Sequence, residues 1–289
     1  MDERAALALI DETLPAAGDD AAVVDSLVIT TDMLHETTDF PDGTTRYTAG
    51  WRAVGASLSD VAAMGARATA AVAVYGAPEF DPEALSAFLR GARDVCDDAG
   101  AEYVGGDLDG HEEFTVATTA LGETATPVRR SGATPGETVC VTGTLGRSGA
   151  AVRLFPDDPE RANDLFRFSP RVAAGRAIAP HAGAMMDSSD GLARSLHQLS
   201  AASDCGFEVG YDALPVDGSV RDVADGPDDE RDLAIYFGED FELVFTTDDP
   251  GAAREASPTP VSAIGTVTDA SEGVVLDGEV LPDRGFTHN

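Results

Sequence analysis

The sequence contains no lysine: its 19 basic side chains are all arginines, set against 52 aspartates and glutamates in 289 residues. That absence removes whole chemistries, because no lysine can sit in a P-loop or on a protein-kinase strand, and none can form a Schiff base. Cysteine is scarce as well. Cys96, Cys140 and Cys205 are far apart and share no CxxC spacing, so they read as small buried hydrophobes in a reducing compartment. No stretch approaches the roughly 18 to 20 apolar residues of a membrane span. The opening MDERAALALIDETL carries acids where a signal peptide needs positive charge. The expectation is a cytoplasmic protein with no membrane partner. GxSxG is absent, which removes support for an elbow-type serine hydrolase, and the five histidines share no ligand spacing.

What the sequence has in excess is negative charge, a formal −33, beside a hydrophobic share of 43% that is sufficient for real cores. The acids run along the whole chain rather than forming a tail. This pattern suits a cytoplasm of concentrated salt, where a Debye length of roughly 3 Å at 1 M screens self-repulsion. Such a field repels phosphate backbones, so nucleic acid is not an expected partner. The length suits two domains.

Periodicity gives the coarse plan. An amphipathic helix is expected at 2–14, an apolar strand at 27–31 and a long helix over 44–64 that stops at Gly65. A buried strand follows at 68–76, then a helix at 82–99 begun by Pro82 behind Asp81. Strands at 102–105 and 114–122 flank GGDLDGHEE, read as a turn. TPVRRSGATPGE (126–137) reads as a linker, which divides the chain into expected domains 1–128 and 129–289. Beyond it come strands near 138–142, 206–211, 241–247 and 261–267, with helices near 147–155, 170–179 and 191–203. DDPER (157–161) and DGPDDER (225–231) read as solvated surface loops. Alternating strands and helices argue an α/β (α+β) fold in two layers.

Five acidic sites stand apart from those loops because small residues surround them: Asp19 and Asp20, Thr30-Thr31-Asp32, Ser59-Asp60, Gly106-Asp107, and Asp187-Ser188-Ser189-Asp190. Small neighbours allow close approach, and carboxylates at strand and helix ends suit hard cations such as magnesium.

These segments carry a resemblance. GDDAAV, TTDML, the run WRAVGASLSDVAAMGA at 51–66, GGD, RSGATPGETVCVTGTLG, FSPR, MDSSDGL and GEDFELVF occur here in the order found in thiamine-monophosphate kinases. The chain therefore resembles that family, within the ATP-binding superfamily that includes aminoimidazole ribonucleotide synthetase, over nearly its full length. The resemblance implies a two-domain fold, a homodimer whose N-terminal sheets combine into a barrel, and a C-terminal α/β sandwich. It implies transfer of the γ-phosphoryl of ATP to the phosphate of thiamine monophosphate. That nucleophile is already anionic, so no general base is expected and charge neutralisation by several magnesium ions supplies what lysine does elsewhere. It further implies Asp20, Thr30, Thr31, Asp32, Asp60, Asp107, Asp187 and Asp190 as metal ligands, and K+ is a further candidate cofactor. Gly106, Asp107, Arg130 and Ser189 are implied as ATP contacts. On the acceptor side it points to Glu239. Two departures lie there: Asp39 stands where relatives carry histidine, and the tail lacks the relatives' tryptophan, so Phe286, Phe237 or Tyr236 is expected against the thiamine rings. Asp19 is expected to support Asp20. Two alternatives stand beside this reading. One is a superfamily relative acting on another acceptor, the other a non-catalytic nucleotide- or cation-binding protein.

Overall fold

The computed structural model describes residues 17–285 together with Ile10, Thr13 and Leu14, so the helix expected at 2–14 falls mostly outside the described residues. Two mixed sheets organise the chain. The first holds β1 (Ala22–Val24), β2 (Leu27–His35), β3 (Arg67–Ala77), β4 (Glu102–Gly110) and β5 (Thr115–Glu123) in the order β1-β2-β5-β3-β4, with β3 and β4 its parallel pair. The second holds β6 (Thr138–Thr142), β7 (Met185–Asp187), β8 (Cys205–Val209), β9 (Leu243–Thr247), β10 (Val261–Asp269), β11 (Val274–Leu276) and β12 (Glu279–Val280). Its order is β12-β11-β8-β10-β6-β9-β7, with β8 and β11 parallel.

Between the sheets lies the helix Arg46–Ala63. The Thr45 side chain caps it by accepting from Thr48 N at 3.1 Å, and Gly65, at φ +65°, ends it as the sequence predicts. A helix buried on all sides needs small or apolar residues all round, and this one is built largely from alanine, glycine, serine and valine. Ala53, Ser57 and Val61 meet the first sheet. Arg52, Ala56 and Ser59, at helical spacing, face the second half of the molecule, and Asp60 lies between that half and Thr30 of β2. A third side packs on the helix Pro82–Ala99, and there two glycines set the approach. A Cβ on Gly50 would lie 2.2 Å from Phe88 O, and one on Gly91 would lie 2.0 Å from Tyr47 O. One hydrophobic cluster joins Leu58 and Val61 to Val116 and Ala120 of the first sheet, and to Val172, Ile178, Met185 and Phe245 of the second half. The three cysteines are buried and free.

Several stretches differ from expectation. GGDLDG is the body of β4, because β3 stays paired with it through a bulge at Ala71/Val72; the turn comes later. A Cβ at Gly106 would lie 1.8 Å from Ala73 O, so the glycine serves that close pairing. DDPER opens the helix Pro159–Phe166, whose N-cap Asp158 accepts from Arg161 N and whose Ala162 and Phe166 are buried. DGPDDER likewise opens the helix Pro227–Ile235. In both, proline at the first turn and acids around it are helix-start signals that charge density concealed. The strand expected at 27–31 also runs on to His35.

Gly91→Ala is expected to lower stability by about 1–3 kcal/mol, the cost of overpacking a helix contact. A drop in denaturant midpoint in concentrated KCl reads it. Gly110→Ala, where an added Cβ meets nothing within 4 Å, is the control.

Candidate metal and nucleotide site

The helix–sheet seam collects carboxylates from four separate stretches of chain. Along β2, side chains alternate between faces, so Thr30 and Asp32 turn towards the helix Arg46–Ala63. Thr31 turns to the outer face, where its hydroxyl donates to Thr118 O at 2.7 Å. From the helix, Ser57 donates to Asp32 and shares a 2.7 Å hydrogen bond with Thr118 Oγ1. Asp60 accepts from the Thr30 hydroxyl. At the end of β7, Asp187 is fully buried and accepts from Ser59 Oγ at 2.7 Å and from Ser189 N at 3.2 Å. Asp20, in the loop before β1, completes the group. Carboxylate oxygens of Asp20, Asp60 and Asp187 lie within 4.8 Å of one another.

Arg130 is the guanidinium at this cluster, with Nε and Nη2 donating to the two oxygens of Asp20 at 3.3 and 3.1 Å. Asp19 supports it from behind, accepting from Arg130 N at 3.0 Å and from Arg129. Burial opposes the charge on Arg130, yet Asp20, then Asp187 and Asp60, hold its pKa above the usual arginine value. The acids outnumber this partner. Burial, followed by Asp32, Asp187 and Asp20, pushes Asp60 well above the ordinary carboxylate range. Burial and then Asp20 push Asp187 up to about 7, against the hydrogen bonds from Ser59 and Ser189. An all-oxygen donor set with excess negative charge, held on two sheets and a helix, fits a hard divalent cation.

The other candidates divide. Asp32 stands beside Asp60. Ser189 and Asp190 lie in the turn before the helix Leu192–Ser203, so they share the Asp187 loop without joining the carboxylate group. Asp107 pairs in register with Val74, in turn level with Ala117 and Met33, on the outer face of the first sheet. Gly106 stands beside it on the same strand. Asp39 is buried at the end of the short helix Glu36–Asp39, accepting from His35 N at 2.7 Å and Thr38 Oγ1 at 2.8 Å. Glu239 pairs with Arg52 at 2.7 Å. Phe286 lies outside the described residues, and its neighbour Gly285 packs on the Asp190 backbone. Sequence reading names Ser59 only as a neighbour of Asp60 and misses Ser57 and the buried Arg52. Their spacing from Asp60 on one helix was the available signal.

A pH dependence follows. Asp187 titrates near pH 7 in the fold against a reference of 3.8, so the folded chain holds more protons than the unfolded chain between those values. Without divalent cations, stability therefore falls as pH rises through that window. Mg2+, binding the ionised cluster of the folded state, reverses the loss. Thermal melts in KCl with EDTA or MgCl2 check it: the gain from Mg2+ is larger at about pH 8 than at about pH 5.

Comparison with known proteins places this geometry. Residues 18–124 match the AIR synthase related protein N-terminal domain, and residues 134–278 match its C-terminal domain. The thiamine-monophosphate kinase of Halobacterium salinarum is 62% identical over 100% of both chains. That of Methanospirillum hungatei is 40% identical, again over 100% of both. Among solved structures, AaThiL complexed with AMPPCP and TMP superposes with a TM-score of 0.89 at 29% identity, covering 99% of this chain and 97% of its own. With two matched domains, full-length identity of this order and an all-oxygen carboxylate cluster at the domain seam, the chain belongs to the thiamine-monophosphate kinase family.

Proposed function

We propose that this chain transfers the γ-phosphoryl group of ATP to the phosphate of thiamine monophosphate with magnesium held by Asp20, Asp32, Asp60 and Asp187, giving thiamine diphosphate and ADP. The observation that carries the reading is the convergence of Asp20, Asp60 and Asp187 from both halves of the molecule. A phosphate oxygen of the acceptor forms the new bond to the γ-phosphorus as the bond to the β-bridging oxygen breaks, and no proton must be abstracted from an acceptor that is already anionic. Bound magnesium supplies neutralisation of the charge on the triphosphate. The protein's own part is placement. Arg130, anchored by Asp19 and Asp20, is poised to pair with phosphate oxygens bidentately. Ser189 and Asp190 open the helix Leu192–Ser203, whose N-terminus favours anions. Glu239 marks the acceptor end, where a carboxylate suits the thiazolium cation; Asp39 and Phe286 are the further acceptor-side candidates, and K+ is the monovalent ion to test.

The outer face of the first sheet carries Leu27, Ile29, Met33, Val72, Val74 and Leu121, and Met33 and Val74 are 53% and 42% exposed. We place a homodimer contact there, which would bring Thr31, Gly106 and Asp107 to the subunit boundary rather than into the cluster. The domain boundary is placed at 128/129, between β5 and β6. No helix among the described residues is long and apolar enough to cross a membrane, and an ATP-dependent reaction with an acid-rich surface fits a salt-rich cytoplasm.

Incubation with ATP, MgCl2 and thiamine monophosphate in molar KCl is expected to yield acceptor-dependent thiamine diphosphate on chromatography. Asp187→Asn is expected to lower kcat by about 100-fold or more while the chain stays folded. ADP formed without thiamine diphosphate would move the acceptor elsewhere, and no turnover would favour a binding protein. Met33→Asp is expected to convert a dimer into a monomer in light scattering.

A further inference from the structure

A second polar centre fastens the two halves of the molecule, and it is built around Arg52. This side chain is 3% exposed. Its Nη2 donates to Glu239 Oε2 at 2.7 Å, while Nη1 donates to Phe166 O and lies 3.4 Å from Ser148 Oγ. The guanidinium plane covers the Phe166 ring, with its carbon 3.5 Å from the centroid. Phe168 and Phe241, stacked with centroids 4.1 Å apart, close the side. Burial draws the Arg52 pKa down, and Glu239 opposes that shift.

The partner loop is held from several directions. Glu239 N donates to Ser189 O at 2.6 Å, and Glu242 exchanges two hydrogen bonds with Ser188, at 2.8 and 3.0 Å. Asp240 accepts from Ser148 N at 2.8 Å and from Gly146 N, and Ser148 Oγ donates to Glu239 O at 2.6 Å. Glu239 and Phe241 both adopt left-handed backbone, at φ +66° and +53°. Non-glycine residues persist there only where their surroundings over-determine them. The loop that carries Glu239 is thus joined to the turn that carries Ser188 and Ser189, and Arg52 ties it to the helix that carries Ser59 and Asp60.

We propose that Arg52 is a positioning residue for the acceptor end of the site: it holds the Glu239 carboxylate in register with the metal cluster. The proposal rests on the placement of Glu239 at the acceptor. Arg52 stands seven and eight residues before Ser59 and Asp60, two helical turns along the same face, so one rigid rod sets the separation between acceptor carboxylate and metal ligands. Arginine suits the task because its planar fork reaches several acceptors at once and stacks on an aromatic ring. An ammonium on a flexible stem has neither the rigid fork nor the flat face.

The test is steady-state kinetics on Arg52→Lys, Arg52→Met, Glu239→Gln and the double variant Arg52→Lys/Glu239→Gln, in molar KCl with thermal melts beside each. Glu239→Gln is expected to raise KM for thiamine monophosphate about tenfold with KM for ATP unchanged. Arg52→Lys is expected to reproduce that split, and the double variant is expected to be no worse than the poorer single one, because the two side chains act as a unit. If Arg52→Met fails to fold, Arg52→Lys, which keeps the charge, carries the comparison. An unchanged acceptor KM in Glu239→Gln overturns the placement of Glu239 and the proposal with it. A raised acceptor KM in Glu239→Gln, with Arg52→Lys losing only melting temperature or raising both KM values alike, overturns the role of Arg52 alone.

Discussion

Burial of the helix Arg46–Ala63 on every side is the constraint from which the rest of the molecule follows. Beyond its first turns such a helix has little solvent face on which to place polar groups, so Arg52, Ser57, Ser59 and Asp60 must find partners inside the protein. Ser57 finds Asp32 and Thr118, Ser59 finds Asp187, Asp60 finds Thr30, and Arg52 finds Glu239 and a main-chain carbonyl. These partnerships reach both sheets, which is why the functional groups of two domains meet along one rod. The same burial explains the glycines at 50 and 91, since close approach of two helix backbones leaves no room for Cβ atoms.

Charge is organised on a different logic inside than outside. The chain carries −33 overall, and concentrated salt screens the exposed acids. Screening does not reach a buried carboxylate, so interior acids require specific partners. Arginines supply them at three places: Arg130 on Asp20, Arg52 on Glu239, and Arg171 on Glu242. Asp240 is held by the Gly146 and Ser148 amides instead, and in the group of Asp20, Asp60 and Asp187, with Asp32 nearby, carboxylates crowd one another. Here acids exceed the guanidinium that serves them, and burial, followed by the neighbouring carboxylates, pushes Asp60 and Asp187 upward. A site built to receive cations and a triphosphate has that character, and this physics accommodates phosphoryl transfer in a chain without lysine.

Much of this was legible in the residues. The cap-and-glycine boundaries of the helices at 46–63 and 82–99 follow local rules, and the small-residue setting of Asp20, Asp32, Asp60 and Asp187 distinguished them from the many other acids. Two kinds of information were not local. DDPER and DGPDDER read as loops because charge density masks helix-start chemistry, and their burial depends on partners distant in sequence. The paired threonines at 30 and 31 read as equivalent ligands, yet strand alternation sends one to the cluster and the other to the opposite face. Asp107 stands in the same small-residue setting, and only strand register shows it level with Val74 and Met33.

By itself, the sequence determined composition, periodicity and local chemistry: an acid-rich α/β chain, stripped of lysine chemistry, with oxygen ligands suited to hard cations and a motif order that resembles one family. Only the tertiary structure decided which acids stand together, which serine or arginine holds each of them, and on which face of a strand a side chain emerges. The reason is physical. Helix and strand formation depend on residues a few positions apart, whereas a carboxylate cluster drawn from positions 20, 60 and 187 exists only once two sheets have closed on a common helix.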